Sequence, residues 1–438
     1  MAILSEQDAR KIIDKVLSYS RADEMKVELT GGRSGNIRFA RNSVSTAGAS
    51  NNLSLSITSV LGKKTGTSDI NEFDDASLEK AVRRAEEMAR LAPENPEYVP
   101  MPGPQTYAKP QAFVETTANM KAPDRARLAG ASIRSIMTSQ LSGAGFLEDS
   151  ATFNAIGNSR GLFGYHQSTD VNFSLTIRTP DGTGSGYAAG DFNDVSKLDT
   201  GALTDIAIQK AKASQKAVAL EPGKYTVILE PLAAGELIQF MIRAMDARTA
   251  DEGRSFLGKK GGGTRLGEKL LDERVTIYSD PANAQIPGSP FSPEGYAHQK
   301  VVWFDKGVVK NMSYSPYWAQ QKGAKPLPQP SGFVMEGGTQ SLAELIKGTE
   351  KGILVTRFWY TRWLDPQTLL YTGLTRDGTF YIDNGQIKHP VKNFRFNESP
   401  VIMLNNLEAL GRPVRTRGNL VPPMRIRDFT FSSLSDAV

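Results

Sequence analysis

The chain has 438 residues, a formal net charge of +5 and no cysteine, which excludes disulfides, thiolate metal ligands and cysteine nucleophiles. Its composition, 39% hydrophobic and 23% charged, is that of a globular protein of two or three domains, and the mild charge without a long basic run disfavours direct nucleic-acid binding. No stretch reaches the ~20 apolar residues that span a bilayer, and residues 1–10 lack the apolar core of a secretory signal, so we expect a cytoplasmic protein without a membrane partner.

Residues 1–95 predict an N-terminal α/β module. Ser5 can cap an amphipathic helix, because apolar residues recur behind it at helical spacing. Strands are expected at 25–29, 36–39 and 53–57. Asp74 precedes a second amphipathic helix. Six prolines between residues 93 and 110 then predict an extended connector, which we place at 96–112.

Residues 113–221 predict a second α/β module. Pro123 marks the first turn of a helix, and a further helix is expected at 203–218. Strands are expected between them at 152–156, 162–166 and 171–178. Both modules thus follow the order helix, strands, helix, which weakly indicates an internal repeat, although similar turn chemistry explains the order equally well.

Residues 222–438 predict a large, mostly antiparallel β-rich domain, and the fold class expected for the whole chain is α+β. A strand at 225–229 and a helix at 232–247 come first. Later strands are expected at 274–278, 301–304, 352–360, 379–382 and 427–431, separated by hairpin turns at 305–307, 376–378 and 383–385.

Motifs for catalysis are scarce. The three histidines, His166, His298 and His389, lie far apart in the sequence, and none has the spacing of a zinc ligand. No Gly-x-Ser-x-Gly motif stands before a helix, as a nucleophile turn requires. A carboxylate cluster follows the helix at 232–247, where a solvated helix end is the favoured interpretation; its members are Asp246, Asp251 and Glu252.

Several C-terminal segments together resemble the TldD/PmbA family, which has also been labelled modulator of DNA gyrase. They are 352–360 (GILVTRFWY), 364–368 (LDPQT), 372–380 (TGLTRDGTF), 385–387 (GQI), 390–397 (PVKNFRFN) and 427–433 (RDFTFSS). Each segment alone is a weak signal, but the combination is specific. The N-terminal module and the region 161–190 are similar to the family as well, so the resemblance spans nearly the whole chain.

The resemblance implies one of two subunit types. TldD-type members carry His-Glu-x-x-x-His on a helix and a later Cys that together hold zinc, whereas PmbA-type members, also called TldE, lack this motif and pair with a TldD-type subunit. Residues 232–235 (LAAG) match the segment that leads into the zinc helix, so the two His positions fall on Gln239 and Ala244 and the Glu on Phe240. An amide, a methyl group and a phenyl ring cannot replace two ligands and a base. The chain therefore most resembles the PmbA/TldE type, with no catalytic residue or metal of its own and with zinc expected in the partner.

One aromatic and arginine cluster is a candidate for partner or substrate contact. Its members are Phe358, Trp359, Tyr360, Arg362 and Trp363. Such side chains commonly anchor interfaces. The other interpretation is that alternate members of the cluster pack in the core of the β domain.

The function that the resemblance implies is that of a non-catalytic subunit of a zinc metalloprotease complex, contributing interface and substrate chamber. The expected partners are a TldD-type subunit, in a heterodimer, and an unfolded or leader peptide. Two alternatives stay open: a stand-alone peptide-binding scaffold that acts as a homodimer, and a metal-free hydrolase that uses the carboxylate cluster. A gyrase regulator has the least support, since the sequence shows no nucleic-acid or topoisomerase signature.

Overall fold

The computed structural model describes residues 3–435 of the chain. Its helices are α1 (Glu6–Ser18), α2 (Asp75–Leu91), α3 (Glu115–Ala118), α4 (Ala122–Thr138), α5 (Thr200–Ala213), α6 (Pro231–Arg243), α7 (Ala247–Asp251), α8 (Pro316–Lys322), α9 (Leu342–Lys347) and α10 (Pro400–Asn405), with a 3-10 turn at Val195–Lys197. None of these helices combines the length and the apolarity needed to cross a membrane.

The strands fall into an N-terminal and a C-terminal group. The N-terminal strands are β1 (Glu24–Ala40), β2 (Ser43–Leu61), β3 (Lys64–Ile70), β4 (Ser142–Asn158), β5 (Phe163–Arg178) and β6 (Ser185–Phe192). The C-terminal strands are β7 (Gly223–Leu229), β8 (Ile277–Ser279), β9 (Val301–Asp305), β10 (Val308–Val309), β11 (Val334–Met335), β12 (Lys351–Asp365), β13 (Leu370–Asp383), β14 (Gln386–Pro390), β15 (Phe394–Glu398), β16 (Leu407–Leu410), β17 (Val414–Thr416), β18 (Asn419–Val421) and β19 (Met424–Leu434).

The six N-terminal strands form one antiparallel sheet in the order β3-β2-β1-β4-β5-β6. The two predicted modules contribute three consecutive strands each, and β1 pairs with β4 where they meet. The element order α1, β1 to β3, α2 recurs as α4, β4 to β6, α5. From the central pair β1–β4 outward, both halves of the sheet have their strands in chain order. This is the internal repeat that the sequence only weakly indicated.

Side-chain caps explain where α1 and α2, which both pack on the N-terminal sheet, begin. The Ser5 side chain accepts a hydrogen bond of 3.1 Å from the backbone N–H of Asp8, at the start of α1. The Asp74 carboxylate accepts one of 3.0 Å from the backbone N–H of Ser77, at the start of α2. Both helices then bury one apolar stripe against the sheet, as the spacing of their apolar residues predicts.

The C-terminal domain contains two further sheets. One follows the path β12-β7-β19-β15-β13-β14, and because β12 also pairs with β13, five of its strands close into a small barrel. The other has the order β10-β9-β8-β11-β18-β17. Within residues 3–435 the strand pairs are antiparallel except β7–β12 and β11–β18. The predicted α+β class with a mostly antiparallel C-terminal domain is thus confirmed.

In two places the sequence predicted two short strands where the structure has one continuous strand. Segments 25–29 and 36–39 both lie in β1, because Gly31 and Gly32 pair with β2 on one side and β4 on the other. Segments 162–166 and 171–178 likewise form the single strand β5. Glycine pairs favour turns locally, but here hydrogen bonds to two neighbours hold the backbone extended.

Two further predictions were wrong in the C-terminal domain. The helix expected over 232–247 ends at Arg243, and Asp246 caps the separate helix α7. The turn expected at 376–378 lies inside β13 as a bulge, where Asp377 and Gly378 have φ of 55° and 124°. The register between β12 and β13 shifts at the same point, so this Asp-Gly pair bends a strand rather than joining two.

Ion pairs attach the C-terminal domain to the N-terminal sheet. The guanidinium of Arg415 lies 3.0 Å from the carboxylate of Asp191 on β6. The ammonium of Lys210 on α5 lies 2.7 Å from the carboxylate of Glu230, which precedes α6. All four side chains are largely buried, so these contacts fix the position of α6 relative to β5 and β6.

Candidate functional site

Helix α6 carries Gln239 and Phe240, two of the three residues at which the resemblance implies that the zinc motif would lie. It begins directly after β7, with Glu230 as the N-cap residue and Pro231 in the first turn. One face is buried in the domain core through Ala233, Ala234, Leu237, Ile238, Met241 and Ile242. The opposite face is half-buried or exposed through Leu232, Glu236, Gln239, Phe240 and Arg243. The second face is therefore the one available to a ligand.

The three motif positions hold side chains that do not suit zinc. Phe240 stacks on Tyr371 of β13, with the ring centroids 4.7 Å apart and the planes 11° from parallel. Gln239 is half-buried beside it, and Ala244 is the C-cap residue of α6. Among residues 3–435, no three His, Cys, Asp or Glu side chains come together in a way that could hold a metal ion. A zinc ion consequently does not fit this site.

An aromatic trio occupies the space beside the motif positions. Tyr371 is 1% exposed, and burial raises the pKa of its phenol to about 12, so the group stays neutral at physiological pH. The Trp363 and Tyr371 rings are nearly perpendicular, with a centroid distance of 6.5 Å and an angle of 77° between their planes. Phe240, Tyr371 and Trp363 together give this part of α6 an apolar aromatic wall.

A polar rim borders the aromatic trio on the N-terminal half of α6. The Glu236 carboxylate accepts hydrogen bonds of 2.6 Å from the Thr361 hydroxyl and 3.2 Å from the Arg417 guanidinium. The backbone N–H groups of Arg417 and Gly418 donate to the carboxylate of Asp191, at 2.7 and 2.9 Å. The β17–β18 turn is thereby tied both to α6 and to the N-terminal sheet.

A groove of about 470 Å³ lies between this turn, the start of α6 and strands β5 and β6. We call it the α6 groove; its wall includes Asp170, Tyr187, Asp191, Leu232, Arg417 and Gly418. Burial raises the pKa of the Asp170 carboxyl. The groove thus offers an acid, a cation and apolar surface within one concave site, a combination that suits a polypeptide better than a small apolar ligand.

The predicted aromatic and arginine cluster is divided between core and surface. Phe358 is 1% exposed and packs on Phe396, with ring centroids 4.3 Å apart. The other aromatic members are exposed: Trp359, Tyr360 and Trp363 are 41%, 58% and 64% accessible. The Arg362 guanidinium lies over the Tyr360 ring at 4.1 Å. Three of the four aromatic residues therefore form a surface on the β12 side of the β12–β13 hairpin.

Sequence reasoning missed several residues of the site. Tyr371 and Thr361 come from strands, and Arg417 from the β17–β18 turn. All three lie far from α6 in the sequence, and no local pattern links them to it. Glu236 could have been found, because it lies three residues before Gln239 and so on the same helix face. A polar residue on the open face of an otherwise apolar helix was the available signal.

The carboxylate cluster does not form an acid–base pair. Asp246 caps α7 through its side chain. Asp251 accepts a hydrogen bond of 2.8 Å from the indole N–H of Trp318. Glu252 pairs with Arg254 and a second arginine, which hold the pKa of its carboxyl below the usual range. Each group has a structural partner, which disfavours the metal-free hydrolase.

Three consecutive regions of the chain match the domains of one family. Residues 27–89 match PmbA/TldA metallopeptidase domain 1, residues 101–220 match its central domain, and residues 222–433 match its C-terminal domain.

Similarity to individual proteins is more distant. A metalloprotease of Methanothermobacter thermautotrophicus is 24% identical over 286 residues, which are 61% of this chain and 62% of that protein. Metalloprotease PmbA of Escherichia coli O157:H7 is 24% identical over 173 residues, 37% of each chain. The chain spans less than two thirds of the length of these curated relatives.

Solved structures share the whole fold. TldE from Thermococcus kodakarensis superposes with a TM-score of 0.87 at 17% identity, covering 98% of this chain and 100% of that one. A putative modulator of DNA gyrase from Bacteroides thetaiotaomicron gives a TM-score of 0.86 at 23% identity, covering 98% and 99%. With its three domains matched in order, the chain belongs to the PmbA/TldD metallopeptidase family.

Proposed function

We propose that this chain is the non-catalytic, TldE/PmbA-like subunit of a TldD/TldE-type zinc metalloprotease complex that cleaves unfolded or leader peptides in the cytoplasm. The observation that carries the proposal is the Phe240–Tyr371 stack. In this stack a phenyl ring, packed on the Tyr371 ring, stands where the resemblance implies that a catalytic relative needs a carboxylate to take a proton from metal-bound water. The TldD-type partner would hold the zinc.

The α6 groove supports a role in forming the substrate chamber. Its walls come from both the N-terminal sheet and the C-terminal domain, and the Asp191 contacts to the β17–β18 turn keep them together. A pre-formed groove loses little conformational entropy when an extended peptide binds. The subunit would thus help to position a peptide whose bond is cleaved at the zinc of its partner.

The exposed side of the β12–β13 hairpin supports a contact with the partner or the peptide. Trp359, Tyr360 and Trp363 place large, rigid apolar surface next to Arg362, which is the composition of interface anchors. This surface adjoins the aromatic trio through Trp363. The hairpin could therefore contact the partner and the chamber at the same time.

Reconstitution tests the proposal. The chain is purified alone and with a TldD-type chain from the same source, and zinc per complex and cleavage of an unstructured peptide are measured. We expect a one-to-one complex with zinc bound by the TldD-type chain, and cleavage that the isolated chain does not perform. Tightly held stoichiometric zinc with peptide hydrolysis by the isolated chain would overturn the proposal. Hydrolysis by the isolated chain in the presence of a chelator would instead favour the metal-free hydrolase.

A further inference from the structure

A cavity of about 320 Å³ lies between the central domain and the C-terminal domain, and we call it the seam cavity. Its walls include Asp181, Thr183, Lys216 and Ala217 from the central domain and Asp377 and Lys392 from the C-terminal domain. Among the described residues, none lines both this cavity and the α6 groove. A volume of this size is sufficient for a small molecule. The seam cavity is therefore a separate candidate binding site.

Backbone hydrogen bonds hold the two walls of the seam cavity together. The N–H of Val218 donates 3.0 Å to the carbonyl of Pro390, and the N–H of Lys392 donates 2.9 Å to the carbonyl of Val218. Lys216 comes shortly before Val218 in the chain, so Lys216 and Lys392 lie on neighbouring backbone segments. Both lysines are exposed. Two cationic residues, one from each domain, thus border the same cavity.

The buried carboxylate that lines the seam cavity is already neutralised. Asp377 accepts a hydrogen bond from the Ser185 hydroxyl and one of 2.7 Å from Nε of Arg357. Nε of Arg376 lies 3.9 Å from the same carboxylate. Because two guanidinium groups stand beside one negative charge, Asp377 does not repel an approaching anion as a bare carboxylate would.

The exposed acid of the cavity wall is held by its own turn. The Asp181 carboxylate accepts hydrogen bonds from the hydroxyl of Thr179, from the N–H of Thr183 at 3.1 Å and from the hydroxyl of Thr183 at 2.8 Å. These bonds, the one from Thr179 first, lower the pKa of the Asp181 carboxyl. Beside these two acids stand four cationic side chains: Arg357, Arg376, Lys216 and Lys392. The charge of these six side chains is therefore net positive.

Lys216 stands at a position whose backbone favours a smaller residue. Its φ is 54°, in the left-handed region that glycine and asparagine adopt with less strain. Within residues 3–435 its ammonium forms no ion pair. Residues in such backbone conformations concentrate at functional sites. The strained backbone, the available charge and the adjoining cavity together point to a ligand.

We infer that the seam cavity binds a small organic anion, whose carboxylate or phosphate oxygens are held by Lys216 of the central domain and Lys392 of the C-terminal domain. Charge-assisted hydrogen bonds from ammonium groups to such oxygens are among the stronger polar contacts in proteins. Ala217 and Val391 offer apolar surface to the carbon skeleton of the ligand. Binding needs this chain alone, so the inference is independent of the proposed function.

Thermal unfolding of the full chain tests the inference with two probes, sodium succinate and sodium glycerol phosphate. Sodium chloride at the same ionic strength controls for general salt effects. At least one probe should raise the unfolding midpoint by about 2 °C or more in a saturable way, because it binds only the folded chain. Titration calorimetry gives the Kd, and the tighter probe shows whether carboxylate or phosphate is preferred. Equal shifts with sodium chloride overturn the inference, as does no saturable shift up to roughly 20 mM of either probe.

Three substitutions locate the binding in the cavity. Lys216→Gln should raise the Kd at least about tenfold, because a charge-assisted hydrogen bond is lost. Lys212→Gln removes the same charge from an exposed position on α5 outside the cavity, and it should leave the Kd unchanged. Ala217→Phe should block binding without altering any charge, because its ring occupies the space of the ligand. Circular dichroism verifies that every variant folds.

The variants also define how the inference fails. If Lys216→Gln and Ala217→Phe both bind the probe as tightly as the unmodified chain, the seam cavity is not the binding site. If Lys212→Gln weakens binding as much as Lys216→Gln does, the anion responds only to the net charge of the chain. Either result overturns the inference.

Discussion

The carboxylate of Asp377 on β13 accepts a hydrogen bond of 2.7 Å from Nε of Arg357 on β12, the neighbouring strand of the C-terminal barrel. Asp377 lies in the β13 bulge with a left-handed backbone, and its side chain is fully buried. It also accepts a hydrogen bond from the Ser185 hydroxyl of β6. One side chain of the bulge thus joins the barrel to the N-terminal sheet.

The Asp377 contacts predict unequal effects of two substitutions. Asp377→Ala should lower the free energy of unfolding by about 3–5 kcal/mol, because it leaves Arg357 without its partner and places alanine in a left-handed conformation. Asp377→Asn keeps the shape and tolerates that conformation, so its loss should be clearly smaller. Urea denaturation of both variants measures the difference. Equal losses would show that the lost charge accounts for the whole effect and that side-chain shape and backbone conformation contribute nothing.

Because the aromatic cluster is divided between core and surface, we expect Phe358 to contribute to stability and Trp363 to partner binding. Phe358→Ala should cost about 3–5 kcal/mol of stability, because a buried ring is lost. Trp363→Ala should change stability by less than ~1 kcal/mol, yet weaken binding of a TldD-type chain by roughly tenfold or more. Denaturation and a binding titration separate the two effects.

The same titration decides whether the exposed cluster has a functional role. Trp359→Ala and Trp363→Ala are each compared with the unmodified chain for partner binding and for peptide cleavage by the reconstituted pair. If both variants bind the partner and support cleavage normally, the exposed aromatic residues are structural only.

Restoring the zinc motif should not restore a zinc site. The variant Gln239→His, Phe240→Glu, Ala244→His places two potential ligands and a carboxylate on α6, but the cysteine ligand of TldD-type members is still absent. We expect well below one zinc per chain after dialysis. Elemental analysis of the variant beside the unmodified chain provides the measurement, and one retained zinc per chain would contradict the prediction.

Because His166 is buried, we expect the free energy of unfolding to fall in acid. Burial lowers the pKa of its imidazole to about 4, from 6.5 when unfolded. Between these values the unfolded chain binds a proton that the folded chain does not, so stability is full above pH 6.5 and falls as the pH drops towards 4. The shift corresponds to at most about 3 kcal/mol.

A neutral substitution isolates that contribution. His166→Gln should lose less stability than the unmodified chain when urea denaturation is repeated at pH 7.5, 5.5 and 4.5. Parallel pH curves for the two proteins would show that other groups cause the acid effect.

Local sequence patterns predicted many elements and few of their connections. The apolar spacing behind Ser5 gave helix α1, and the apolar run at 225–229 gave β7. Gly31 and Gly32 led to an incorrect prediction of two separate strands. Their extended conformation depends on β2 and β4, which lie elsewhere in the sequence. The closed barrel likewise depends on the β12–β13 and β12–β7 pairs, which no single segment encodes.

The candidate site was predictable where it consists of residues on one helix. Resemblance placed Gln239, Phe240 and Ala244 on α6, and the structure has the first two within the helix and the third at its C-cap. Tyr371 and Arg417 could not be assigned, because they reach the site through the pairing of distant strands. A contact made by folding leaves no periodic signal in the sequence.

What the sequence alone determined is chemical: no cysteine anywhere, and an amide, a phenyl ring and a methyl group at 239, 240 and 244. No fold can turn these groups into the ligands and base that they replace. What only the tertiary structure decided is which side chains face inward. Between Trp359 and Arg362 the β12–β13 register shifts, and Tyr360 takes a φ of 59°. In regular alternation Tyr360 would point to the same side as Phe358. This break instead leaves Tyr360 exposed and Phe358 in the core, because strand pairing, and not residue type, sets the direction of each side chain.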